Sequence, residues 1–259
     1  MQLNGVPADL DQIKALALTN HGHYTSMRVD DQRVRGFSLH VERLMHDCRR
    51  VFDTDLNSDR IRYLIRHALI DVNQPVIVRV TVFDPALELG YLGADAEPQI
   101  LVTTRPATHA PPPALRLQSA VYRRDMPDVK HVGLFGSLQR RRIAQRNGFD
   151  DVLFIDADTT IFEAATSNIG FVDGQRVVWS QADCLPGVTM RLISQVQDWY
   201  TPAALVTLDQ LAEMDAVFAT NAAVGIVAIS AIDDLRWPDE HPALNVARKT
   251  YTDIPAEPL

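Results

Sequence analysis

The stretch Thr108-His109-Ala110-Pro111-Pro112-Pro113 limits the possible folds more than any other part of the chain. Three consecutive prolines offer no backbone N–H and fix φ, so the stretch can be neither helix nor central strand. A chain of 259 residues suits one large α/β domain or two of ordinary size. A connection between domains is expected at the prolines, with residues 1–113 as a smaller N-terminal α/β domain and 114–259 as a larger C-terminal α/β domain.

Hydrophobic spacing on each side supports that class. Val41, Leu44, Met45, Cys48, Val51 and Phe52 recur at steps of three and four and predict an amphipathic helix over 40–52. A second helix is expected from Ser58, a candidate N-cap, with Ile61, Leu64, Ile65, Ala68 and Leu69 on its apolar stripe. Runs 75–83, 99–104 and 115–122 are rich in β-branched residues and predict three strands, expected as neighbours in one sheet. Beyond them a helix over 137–147 is stopped by Gly148, and strands follow at 152–155, 168–172 and 177–179. Asp173-Gly174 between the last two is a hairpin signal. A helix over 189–200 and β segments at 216–220 and 226–229 complete the second half. There is no internal repeat.

Several function classes lose support at this level. A formal charge of −8 argues against binding nucleic acid, which requires a clustered cationic face. The basic group Arg140, Arg141, Arg142 and Arg146 reads as a solvated helix face. No apolar run approaches the ~18 residues of a membrane span, and the first residues show no leader pattern, so a soluble, cytoplasmic protein is expected. Cys48 and Cys184 are too few for a disulfide framework. His21 and His23 form an H-x-H without a partner set, so no metal is expected. Gly133-Leu134-Phe135-Gly136 lacks the spacing of a nucleotide-binding loop.

Lysine is scarce: of 25 basic residues only Lys14, Lys130 and Lys249 are lysines. Lys14 falls in an expected N-terminal helix and Lys249 in an expected polar tail, whereas Lys130 lies between a β segment and a helix, where catalytic groups concentrate. A desolvated lysine loses its proton more readily and can form a Schiff base with an aldehyde. From position alone, a surface lysine at a strand end is the simpler reading.

The surrounding segments change that balance. Gly22-His23-Tyr24-Thr25-Ser26-Met27-Arg28-Val29 followed by Leu39-His40-Val41-Glu42-Arg43-Leu44 resembles the N-terminal signature of the class IV (fold type IV) pyridoxal phosphate enzymes, the aminotransferases and aminodeoxychorismate lyases. Val129-Lys130 stands in the family's V-K position. Gly148-Phe149-Asp150-Asp151-Val152-Leu153-Phe154-Ile155-Asp156, Glu163-Ala164-Ala165-Thr166-Ser167-Asn168-Ile169 and Leu185-Pro186-Gly187-Val188-Thr189 match three further segments in the family's order.

The resemblance implies a two-domain fold type IV enzyme, generally a homodimer, whose C-terminal domain binds pyridoxal 5'-phosphate. It assigns Lys130 as the Schiff-base lysine and proton shuttle, and sets Glu163 against the pyridine nitrogen with Ser167 and Asn168 at the following offset. Arg43 would bind the cofactor phosphate, as would Val188 and Thr189 at a helix start. Thr220-Asn221-Ala222 resembles the lyases' phosphate loop, with Ala222 lacking its last hydroxyl. Where branched-chain aminotransferases carry tyrosine this chain has Phe135, and Asp84-Pro85 replaces the Arg-x-His of D-amino acid transaminases.

The expected substrates are a small-molecule amine or amino acid and an oxo acid. Thr25 and Ser26 are candidate substrate contacts, the position where lyases carry Thr-Thr and transaminases commonly begin with Glu. Arg79, in an alternating strand, could reach a substrate carboxylate or form a structural ion pair. Aminotransferase is the first reading as the broader class, aminodeoxychorismate lyase the second, and a catalytically silent binding protein of the same fold the third.

Overall fold

The computed structural model describes residues 1–108, 112–174, 176–195, 200–202 and 205–259, which form two compact α/β units. Residues 109–111 of the proline stretch lie outside the described residues. The first unit comprises Met1–Thr108, Val129–Gly133 and Ala256–Leu259; the second comprises His109–Asp128 and Leu134–Pro255.

The first unit contains β1 (Gln2–Leu3), β2 (Val6–Pro7), α1 (Leu10–Thr19), β3 (His23–Val29), β4 (Arg33–Arg35), α2 (Phe37–Phe52), α3 (Ser58–Ala68), β5 (Val76–Phe83) and β6 (Gln99–Pro106). Its antiparallel sheet runs β2-β1-β6-β5-β3. Period-2 alternation in β3 buries His23, Thr25, Met27 and Val29 and leaves Tyr24, Ser26 and Arg28 half-buried on the opposite face. Met27 and Val29 join Leu44, Cys48 and Phe52 of α2 and Ile61 and Ile65 of α3 in one apolar core. The face that α2 buries is rotated from the one the apolar spacing selects: it includes His40, Arg43 and Asp47, while Val41, Met45 and Val51 are only partly buried. The cap of α3 is Asn57, one residue before Ser58; its Oδ1 accepts the Arg60 N–H at 2.8 Å.

The second unit contains β7 (Leu115–Val121), α4 (Phe135–Arg146), β8 (Asp151–Ile155), β9 (Ile161–Ala164), β10 (Asn168–Asp173), β11 (Arg176–Trp179), α5 (Val188–Ser194), β12 (Tyr200–Pro202), β13 (Ala216–Asn221), β14 (Gly225–Ile232), β15 (Leu235–Arg236) and α6 (Pro242–Asp253). Its sheet runs β12-β11-β10-β13-β14-β7-β8-β9, with β15 on β14. The Asp173-Gly174 hairpin forms as expected, Asp173 facing Arg176. The last strand, β16 (Ala256–Pro258), pairs with β4 in the first unit. Among the described residues no helix is long and apolar enough to cross a membrane.

Three further sequence expectations require correction. The run at 115–122 is a strand but not a neighbour of β5 and β6: it follows the proline stretch and lies in the second sheet, parallel to β14 and β8. The helix expected over 189–200 ends at Ser194, and Tyr200 opens β12, consistent with the β preference of an aromatic and threonine before proline; residues 196–199 lie outside the described residues. Lys249 sits in α6 rather than a tail, because Pro242 opens that helix and His241 Nδ1 accepts the Ala243 N–H.

Candidate active site

Lys130 occupies the short segment Val129–Gly133, which belongs to the first unit although the chain on both sides belongs to the second. The segment is bonded along β3. The Lys130 carbonyl accepts the Tyr24 N–H at 2.8 Å, Val132 N–H donates to Gly22 O at 2.9 Å, and His131 bridges to His23. Gly22 is required there: its φ is +152°, and a Cβ would lie 2.6 Å from Val82 O. The Lys130 N–H donates to Asp47 Oδ2 at 3.0 Å.

Lys130 Nζ lies 5.0 Å from the Tyr24 ring centroid, and the Arg79 guanidinium carbon lies 3.6 Å from the same centroid. Arg79 also donates from Nε to Thr81 Oγ1 at 3.3 Å, and its Cα faces that of Ser26 across the strand pair. Lys130, Tyr24, Ser26 and Arg79 therefore come together in the first unit. Burial lowers the pKa of Arg79, which stays cationic.

Thr25 points the other way. It is fully buried, with Oγ1 2.7 Å from His40 Nδ1. Burial first, then the charges of Arg43 and Lys130, hold the His40 pKa well below the usual histidine range, so its ring is neutral; Nε2 is buried without a hydrogen-bond partner. Arg43, 9% exposed, lies on the same buried stripe of α2 as His40 and Asp47.

In the second unit Glu163 is 6% exposed. Its Oε1 accepts from Arg124 Nη1 at 3.0 Å, and Oε2 accepts the Leu185 N–H at 3.4 Å. Asn168 Nδ2 donates to Leu185 O at 2.7 Å and to Cys184 Sγ at 3.7 Å. The turn Leu185-Pro186-Gly187 is thus pinned from both strands, and a Cβ on Gly187 would collide with Asn168 Oδ1. Burial, then the nearby Glu163 charge, pushes the Cys184 thiol up to about 12, leaving it protonated and inert.

Val188 and Thr189 open α5 directly after that turn. Thr189 Oγ1 is buried without a partner, as is Thr220 Oγ1, whose residue faces Asn168 across β13 and β10. Asn221 Nδ2 donates to Ser167 Oγ at 3.0 Å, and Asn221 Oδ1 accepts the Ala223 and Val224 N–H groups, turning the chain at Ala222. An unsatisfied buried hydroxyl costs ~1–3 kcal/mol. In the second unit the two hydroxyls suit an acceptor-rich group such as phosphate and the held carboxylate suits a protonated ring nitrogen; in the first unit, taken by itself, the clamped lysine suits an aldehyde. The residues present therefore suit the cofactor that the resemblance implies.

Sequence reasoning did not single out Asp47 or Arg124, and it named Thr220 only as part of the loop Thr220-Asn221-Ala222. Asp47 stands four residues after Arg43 and seven after His40, a polar spacing of one helix face that the apolar count hid. Neither Arg124 nor Thr220 carries a local signal for its partner or its lack of one. His21 and His23 pack against Phe52, at 5.2 and 6.0 Å between ring centroids. Among the described residues no group of three or more potential ligands could hold a metal ion.

A family model described as amino-transferase class IV matches residues 22–232. The mitochondrial branched-chain-amino-acid aminotransferase 1 of Arabidopsis thaliana is 31% identical over 112 residues, covering 40% of this chain and 29% of the relative. The chain thus matches less than a third of that relative's length. A candidate 4-amino-4-deoxychorismate lyase from Legionella pneumophila shares the fold at a TM-score of 0.85 and 21% identity, covering 96% of each chain. A T.th. branched-chain amino acid aminotransferase, complexed with N-(5'-phosphopyridoxyl)-L-glutamate, does so at 0.81 and 18% identity, covering 92% of this chain and 86% of that one.

Proposed function

Since the chain belongs to the amino-transferase class IV family, we propose that it is a pyridoxal phosphate-dependent aminotransferase acting on an amino acid or related primary amine, with an oxo acid as second substrate. The observation that carries this reading is the setting of Lys130, whose main chain is hydrogen-bonded on both sides and whose amine emerges beside Tyr24 and Arg79. Pyridoxal phosphate supplies an aldehyde that condenses with primary amines and a ring that accepts the electron pair released at the substrate carbon.

In this reading Lys130 holds the cofactor and, once displaced, moves a proton at the amine-bearing carbon. Glu163, oriented by Arg124 and the Leu185 N–H, keeps the ring nitrogen protonated. Arg43, Thr189, the Val188 N–H and the Asn221-Ala222 turn bind phosphate, with Ser167 and Asn168 holding that turn and the one before α5. Arg79 binds a substrate carboxylate, and Ser26 is the substrate-facing member of its pair. A homodimer is expected.

Aminodeoxychorismate lyase is the second reading, favoured by the hydroxyl pair Thr25-Ser26, where lyases carry Thr-Thr and transaminases commonly carry Glu in the position of Thr25. The parent enzyme separates the two. Given an amino acid alone, an aminotransferase stops after one turnover and resumes when an oxo acid is added. Sustained pyruvate release from aminodeoxychorismate with no oxo acid present reverses the order. A colourless protein that takes up no pyridoxal phosphate would leave the silent binding fold.

A further inference from the structure

Both main-chain polar groups of Lys130 are engaged: the carbonyl by the Tyr24 N–H at 2.8 Å and the N–H by Asp47 Oδ2 at 3.0 Å. Asp47 is fully buried on α2, and its Oδ1 lies 3.0 Å from His46 Nδ1, whose side chain is half exposed. We propose that Asp47 is a positioning residue for Lys130: by fixing the backbone amide it sets where the amine emerges beside Tyr24. The inference rests on the reading of Lys130 as the cofactor lysine.

The segment that carries the lysine, Val129–Gly133, is short and is held in the first unit by bonds to Gly22, Tyr24 and Asp47. Asp47 comes from a long helix whose buried apolar residues Phe37, Leu44, Cys48 and Phe52 join the core, so the bond ties Lys130 to the packed interior. A displacement of about 1 Å at a reacting group can cost ~10²-fold in rate, so one anchored amide has leverage on the chemistry.

The carboxylate is also costly where it stands. Burial pushes its pKa up, opposed by hydrogen bonds from His46 and the Lys130 N–H and by the charge of Arg43. An asparagine could accept the same N–H without a buried charge. What ionisation adds is a hydrogen bond roughly twice as strong as a neutral one.

Hydrogen exchange on the full chain tests the clamp directly. Asp47→Asn should expose the Lys130 amide to exchange about 10-fold faster than the parent, and Asp47→Ala about 100-fold faster. The Val80 amide in β5 should be unchanged in the asparagine variant, with a melting temperature no lower than the parent's. Added pyridoxal phosphate should become fixable by borohydride on Lys130 about 10- to 100-fold more slowly in the alanine variant.

Parent-like Lys130 protection in both variants overturns the proposal, as does equal acceleration at Val80 and Lys130, the sign of a purely structural residue. Normal fixation in the alanine variant despite a freed amide overturns it too. Absence of a Lys130 adduct in the parent removes instead the reading on which the inference rests, and the exchange arm reports the clamp separately.

Discussion

His23 is fully buried, neither ring nitrogen has a hydrogen-bond partner, and its pKa is lowered to about 3, by burial first and then by the neighbouring His21 and His46. Between that value and the ordinary 6.5, the unfolded chain binds a proton that the folded chain does not, so stability falls as pH drops through this window. His23→Leu should therefore flatten the acid limb of a denaturation profile by ~1.4 kcal/mol per pH unit; an unchanged slope would mean that His23 is solvated. Thr189 presents a different case, since its buried hydroxyl has no partner in the protein itself. Thr189→Ala should melt no lower than the parent without cofactor and yet lose pyridoxal phosphate more readily, by ~2–5 kcal/mol if the phosphate partner is lost. Dialysis against excess phosphate reads that difference, and equal retention would place the phosphate elsewhere. At this scale the sequence points to Lys130 as the candidate because lysine is rare and five segments stand in the family's order. It does not point to Asp47, because what distinguishes that residue is a partner 83 residues away.

The same contrast holds for whole elements. Alternation in β3 separates two adjacent hydroxyl residues: Thr25 faces His40 in the core, and Ser26 faces Arg79 on the other side. Thr25→Val should keep substrate KM near the parent's and lower stability by ~1–3 kcal/mol, since it leaves His40 Nδ1 buried without its partner. Ser26→Ala should leave stability unchanged and raise KM, or in a lyase slow pyruvate release. Equal effects from the two changes would contradict the strand's placement. Sequence periodicity found α2 and α3 because their apolar stripes repeat, but it rotated α2 away from His40, Arg43 and Asp47, whose burial depends on hydrogen bonds and charge rather than hydropathy. Residues 189–200 looked helical by local spacing, yet β12 begins at Tyr200, where pairing with β11 decides the conformation.

For the whole molecule, the proline stretch reads as a passage between halves because loss of backbone donors is a local property, and its residues 109–111 lie outside the described residues. Sheet membership is not local, and β7 joins β14 and β8 across more than a hundred residues of sequence in one case and a few tens in the other. The return of Val129–Gly133 to the first unit had no signature beyond its lysine. Those five residues carry the central claim, that Lys130 holds the cofactor. Borohydride reduction of the protein after incubation with pyridoxal phosphate, followed by digestion and mass mapping, tests it most directly. The account predicts a single phosphopyridoxyl adduct on Lys130, absent in Lys130→Ala; an adduct on Lys14 or Lys249, or undiminished labelling of the alanine variant, would contradict it.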